Sequence, residues 1–130
     1  LIVADASALL ELLMKTPFAK AIETRLFGRG DTLHAPHLLD VEIAQVVRRF
    51  VAIGDISAAR GQAALTDLAD FPLRRYPHDI LLPRIWALRH NFMAYDAAYV
   101  ALAEALGAVL VTRDARLAAG AGHFARIEVV

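Results

Sequence analysis

The 130 residues contain no cysteine. That single absence removes a disulfide framework, a thiolate zinc site and a cysteine nucleophile, and it agrees with a reducing cytoplasm. Lysine is nearly missing too: Lys15 and Lys20 are the only two, so almost all of the 14 basic residues are arginines, whose planar fork suits phosphate better than a point charge does. There is no surplus of either sign, since 14 acids offset 14 bases. Global charge therefore gives no sign of a polyanionic partner, and any basic patch has to be local. Nor is there a run of about 18 apolar residues, the length a membrane span needs. The most apolar stretch, Ala97 to Val111, is cut by Glu104, so no membrane partner is expected. Leu1–Ala4 followed by Asp5 has neither the basic flank nor the length of a signal peptide, which makes the cytoplasm the expected location. Leu1 is not a methionine, so residues can precede it.

What is present is apolar: 58% of the residues, with a mean hydropathy of +0.46. This is high for a chain the size of one domain, here residues 1–130, because a small domain leaves much of its surface in water. Part of the apolar surface is expected to meet a partner, and a two-fold homodimer is the economical outlet. Leu1–Ala4 and Ala108–Thr112 are short apolar runs that each lead into an aspartate, the pattern of buried strands in a parallel sheet. Between them the pattern is mostly helical. Thr16-Pro17 is expected to open a helix that Gly28 ends, Pro36 a long one that Gly54 closes, and Ser57 another to about Asp70. Pro77–Asn91, with a kink at Pro83, and Tyr95–Leu106 follow. Short strands are expected at Thr32–Ala35, Leu73–Tyr76 and Arg126–Val129, the last after a Gly120–Gly122 turn. Alternating strands and helices make this an α/β sandwich with a mostly parallel sheet, and ligands of such sheets bind beyond the carboxyl ends of the strands.

Four acids fall where that geometry makes them interesting. Asp5 and Asp114 follow strands. Asp96 opens the Tyr95–Leu106 helix. Glu42 lies three and four residues from Leu39 and Val46, on the border of a buried helical stripe, where a charge is costly unless paired or bound to metal. Each has an ordinary explanation: the aspartates as helix caps, Glu42 as a partner of Arg49. Together they match hard-cation chemistry. Magnesium and manganese take oxygen ligands, and crowded carboxylates repel unless a cation neutralises them. Two such ions roughly 3.5–4 Å apart activate water and stabilise the leaving oxygen of a phosphodiester. Arg113 and Arg116 flank Asp114 and are the better candidate phosphate contacts; for the other arginines a solvated face is the default. His34, His37, His78, His90 and His123 lack the cysteines of a zinc set and read as surface or helix-end residues. Gly28-Arg29-Gly30 and Gly120-Ala121-Gly122 lack the lysine of a phosphate loop and read as turns.

Val3-Ala4-Asp5-Ala6-Ser7, Asp40-Val41-Glu42-Ile43-Ala44, Tyr95-Asp96-Ala97-Ala98-Tyr99-Val100-Ala101-Leu102-Ala103 and Leu110-Val111-Thr112-Arg113-Asp114, in that order, resemble the PIN-domain nucleases, especially VapC-type toxins. The Asp96 and Thr112-x-Asp114 blocks are the most specific parts. The resemblance implies a three-layer α/β/α sandwich with a mostly parallel sheet, a homodimer, Mg²⁺ or Mn²⁺ dependence, endoribonuclease activity on an RNA substrate, and a cognate VapB-like antitoxin. It makes Asp5, Glu42, Asp96 and Asp114 the catalytic and metal-binding quartet, with Ser7 and Thr112 as supporting polar groups. Two rivals stand beside it. A non-catalytic PIN-like interaction module would keep the fold and use its apolar surface. A phosphoaspartyl or receiver-type protein would use Asp5 or Asp114 as nucleophile, but needs a strand-end lysine that neither Lys15 nor Lys20 supplies.

Overall fold

The structure is a computed structural model that describes residues 1–130. Five strands, β1 (Ile2–Ala4), β2 (Leu33–Pro36), β3 (Leu73–Tyr76), β4 (Val109–Thr112) and β5 (Arg126–Val129), form one sheet in the order β3-β2-β1-β4-β5. Every pairing is parallel. The three central strands are buried along their whole length and the two edge strands only partly, as expected of a sheet covered on both faces. That explains why β1 and β4 are runs of Ile, Val, Leu and Ala with no polar alternation, Thr112 at the end of β4 being the one exception.

Seven helices cover the sheet: α1 (Ala6–Leu13), α2 (Ala19–Phe27), α3 (Leu38–Ala52), α4 (Ala58–Asp70), α5 (Leu82–Ala87), α6 (Ala94–Leu106) and α7 (Ala115–Ala119). They divide into two groups. Helices α1 to α4 pack on one another, with α1 and α3 touching β4 and β2; α5 packs on α6, and α6 crosses β1, β2 and β4. This is an α/β/α sandwich. In α6 the seven residues Ala97 to Ala103 are all buried, which requires a helix apolar on every side. Its alanines let it lie close to the sheet, and it absorbs part of the apolar excess that composition alone assigns to a partner. Gly107, at φ 61°, ends α6 in the left-handed conformation that a side chain resists.

Several element boundaries differ from the sequence reading, each for a local reason. Helix α2 starts at Ala19 rather than at Pro17, after a turn in which the Thr16 hydroxyl donates to Glu11 and accepts the Phe18 N–H. Pro36 ends β2 instead of opening a helix: it pairs with Tyr76, and proline has no N–H to miss there. The start of α3 is secured by His78, whose Nε2 accepts the Leu38 N–H at 2.9 Å. In place of one kinked helix over Pro77–Asn91 there is a 3₁₀ turn, Asp79–Leu81, and then α5 with Pro83 in its first turn, where its missing donor costs nothing. His34 is not a surface residue. It is buried on β2, between the Thr32 hydroxyl at 2.8 Å and the Tyr76 hydroxyl at 2.7 Å, and burial lowers its pKa, so it is held neutral.

Candidate active site

The carboxyl end of β1 delivers Asp5 into a socket built by β4. Asp5 is 7% exposed. Its Oδ1 accepts the Ser7 hydroxyl at 2.6 Å and the Ala8 N–H at 3.1 Å, which caps α1, and its Oδ2 accepts the Thr112 hydroxyl at 2.5 Å. Thr112 is fully buried, and its oxygen in turn accepts the Asp114 N–H at 2.9 Å. Ser7 Oγ lies 3.3 Å from Thr112 Oγ1 and accepts the Arg113 N–H at 2.9 Å. The two hydroxyls therefore tie the end of β1 to the turn after β4. Burial pushes the Asp5 carboxyl above its ordinary value, against the pull of the Ser7, Thr112 and Ala8 donors.

Glu42 projects from α3 and accepts the Tyr99 hydroxyl of α6 at 2.5 Å. No arginine reaches it, so the ion pair with Arg49 does not form. Burial raises the Glu42 pKa, the Tyr99 bond opposes the rise, and Asp5 and Asp96 add to it. Tyr99 is itself pushed up, by burial and by the Glu42 charge. This tyrosine is not among the site residues read from the sequence. Its signal was its spacing, three residues after Asp96 and so on the same helical face.

Asp96 is not the cap of α6. Met93 occupies that position, and Asp96 lies in the first turn, where the helix dipole favours a carboxylate. Its pKa is raised by burial, by Asp114 and by Asp5, and lowered by Arg116. Asp114 does cap α7, accepting the Arg116 N–H at 2.9 Å, and the Arg116 guanidinium holds its pKa down. Of the two arginines flanking Asp114, only Arg116 touches an acid of this group. Arg113 is turned away, with Nη1 on the Val130 carbonyl at 2.6 Å, Nε 3.8 Å from Glu11, and its guanidinium over the Phe18 ring.

The structure thus gathers Asp5, Glu42, Asp96 and Asp114 into one electrostatic neighbourhood at the carboxyl edge of the sheet. In this arrangement no three of them form a closed ligand set for one ion. The donor chemistry fits a hard divalent cation. All donors are oxygens, and three of the four carboxylates are held above their ordinary values, a cost that a cation offsets. Beside the acids runs an apolar groove of about 490 Å³ whose lining includes Leu10, Leu38, Val41, Val46 and Tyr95, with Ser7 and Glu42 on its border.

Fold and site together define an α/β protein with an acidic cleft at the switch point of a parallel sheet. The chain belongs to the PIN-domain family, whose model matches residues 2–122. Among similar proteins, Ribonuclease VapC12 of Mycobacterium tuberculosis is 43% identical over 130 residues, which is 100% of this chain and 99% of that protein. Ribonuclease VapC9 of the same organism is 44% identical over 117 residues, 90% of this chain and 88% of that protein. Among solved structures, a Pyrobaculum aerophilum protein superposes with a TM-score of 0.69 at 28% identity, covering 98% of this chain and 83% of that one. VapBC2 from Rickettsia felis, bound to a DNA fragment from its promoter, gives 0.70 at 14% identity, with coverages of 98% and 97%; at that identity the likeness is one of fold.

Proposed function

We propose that this chain is a metal-dependent endoribonuclease of the VapC kind, the toxin of a type II toxin–antitoxin pair, which hydrolyses RNA phosphodiester bonds with water. The observation that carries the reading is the socket around Asp5, where two hydroxyls from different elements hold one buried carboxylate amid three further acids. Whole-length identity to proteins named ribonucleases supports it. Asp5, Glu42, Asp96 and Asp114 are the residues that would hold Mg²⁺ or Mn²⁺, which supplies Lewis acidity toward water and phosphate.

The chain's own contribution is alignment and charge. Ser7 and Thr112 favour the ionised form of Asp5 against its burial and fix where it points, since hydrogen bonds to the charged form favour that form. Tyr99 fixes one oxygen of Glu42 and leaves the other free. The apolar groove at the rim suits the apolar face of an amphipathic helix. A VapB-like antitoxin lying there would bring a basic side chain within reach of the acids. Ile80, Leu82 and Trp86 are large, exposed and close in sequence, and supply a surface for a homodimer. No helix is long and apolar enough to cross a membrane.

Purified protein incubated with RNA should cleave in Mg²⁺ or Mn²⁺ and stop on chelation. Folded protein that cleaves nothing in either metal would leave the non-catalytic module standing. Cleavage that survives chelation would remove the metal.

A further inference from the structure

Two cations sit at the acid edge, and they are held very differently. Arg113 is anchored by the Val130 carbonyl, Glu11 and Phe18. Arg116 has one partner. Its Nε and Nη2 each lie 3.3 Å from a carboxylate oxygen of Asp114, and its side chain is otherwise 92% exposed. Those contacts are long for charge-assisted bonds, which ordinarily run about 2.7–2.9 Å. Its charge also acts on Asp96. The guanidinium therefore touches one of the four acids while being packed by nothing, and an exposed pair of this kind is weak.

We propose that Arg116 is a displaceable cap on the acid cluster: its fork competes with a divalent cation for Asp114, and once displaced it offers the same fork to the non-bridging oxygens of the RNA phosphate. The proposal rests on the nuclease reading above. A planar guanidinium matches carboxylate and phosphate with the same two parallel N–H groups, which lysine cannot do. Because Arg116 follows Asp114 by two residues on α7, it can exchange one oxygen pair for the other by side-chain rotation alone. The cap would quiet the repulsion among the acids when no cation is bound, and its weak hold lets it go.

The test uses chelator-stripped wild-type, R116K and R116Q proteins titrated with Mn²⁺ by calorimetry, followed by steady-state cleavage of an RNA oligonucleotide in saturating Mn²⁺. R116Q removes charge and fork and should bind Mn²⁺ roughly five- to ten-fold more tightly; R116K keeps the charge and should gain roughly two- to five-fold. Both variants should show a raised KM for RNA, with kcat changed less. Affinity that rises when Arg116 is lost, paired with KM that worsens, is an opposition that a merely structural role would not produce. Unchanged or weaker Mn²⁺ binding by R116Q overturns the cap, and leaves the nuclease reading intact if the wild type binds Mn²⁺ and cleaves. R116K indistinguishable from wild type beside a tightened R116Q would show diffuse charge alone and overturn the fork. An unchanged KM overturns the phosphate contact. A wild type that neither binds Mn²⁺ nor cleaves RNA sinks the proposal and the nuclease reading together.

Discussion

Replacing Thr112 with valine keeps the shape of a fully buried side chain and deletes its hydroxyl. Two bonds go with it, the donor to Asp5 Oδ2 and the acceptor for the Asp114 N–H. A hydrogen bond to a charged group is worth about 1.5–3 kcal/mol, and an orphaned, partly buried N–H adds about 1 kcal/mol. Burying a methyl in place of the hydroxyl recovers about 1 kcal/mol. The net cost at neutral pH is then about 1.5–3 kcal/mol, or roughly 5–11 °C in Tm for a chain of this length. The cost should also depend on pH. Asp5 already has a folded pKa raised above 3.8, and losing a donor that lowers it raises it further. A raised carboxylate pKa means the folded state binds more protons than the unfolded one, so the variant loses stability relative to wild type as pH rises through that window. Below it, with Asp5 protonated in both states, the charge-assisted part of the cost is gone. Thermal unfolding at pH 7.5 and towards pH 4 measures this, with Thr112→Ser as the control that keeps the hydroxyl and loses only a methyl. A Thr112→Val cost under about 1 kcal/mol at pH 7.5, or one equal at both pH values, would refute the argument that Thr112 serves the charge on Asp5.

Asp96→Asn should abolish most RNA cleavage, by roughly a hundred-fold or more as for other charges aimed at a reaction centre, without lowering stability by more than about 0.5 kcal/mol. Its carboxylate accepts no hydrogen bond from the protein, and its raised pKa means that ionised Asp96 opposes folding, so any stabilisation by asparagine should grow as pH rises above 3.8. Wild-type cleavage by this variant would remove Asp96 from the site. Tyr99→Phe deletes the donor that lowers the Glu42 pKa; the acid limb of the pH–rate profile should move to higher pH, and an unmoved limb would show that Glu42 does not have to be ionised for cleavage.

The strand-end acids were legible because the signal is short and local: an apolar run, then an aspartate. Both lie where a parallel sheet puts them. Glu42 was legible by helical phase. What sequence could not convey was which polar groups satisfy one another across the fold. Asp5 and its partner Thr112 are 107 residues apart, His34 finds Tyr76 on the adjoining strand, and Glu42 finds Tyr99 on a helix from the opposite face. Arg113 and Arg116 look equivalent beside Asp114, and only the packing of Phe18 and the chain terminus separates them. Proline positions misled most: Pro36 reads as a helix start but ends a strand, and Pro83 reads as a mid-helix kink but sits in a first turn.

The strand order has a consequence in time. Of the five strands β1 is made first and lies at the centre, but one of its two neighbours, β4, is made fourth. Asp5 therefore waits for Thr112 and Asp114, and pairing at such sequence separation is slow because loop closure precedes any reward. A chain still growing on the ribosome carries the first carboxylate and the helix bearing Glu42, yet has no closed socket. For an enzyme whose proposed substrate is RNA, the socket around its first carboxylate cannot close before β4 has been made.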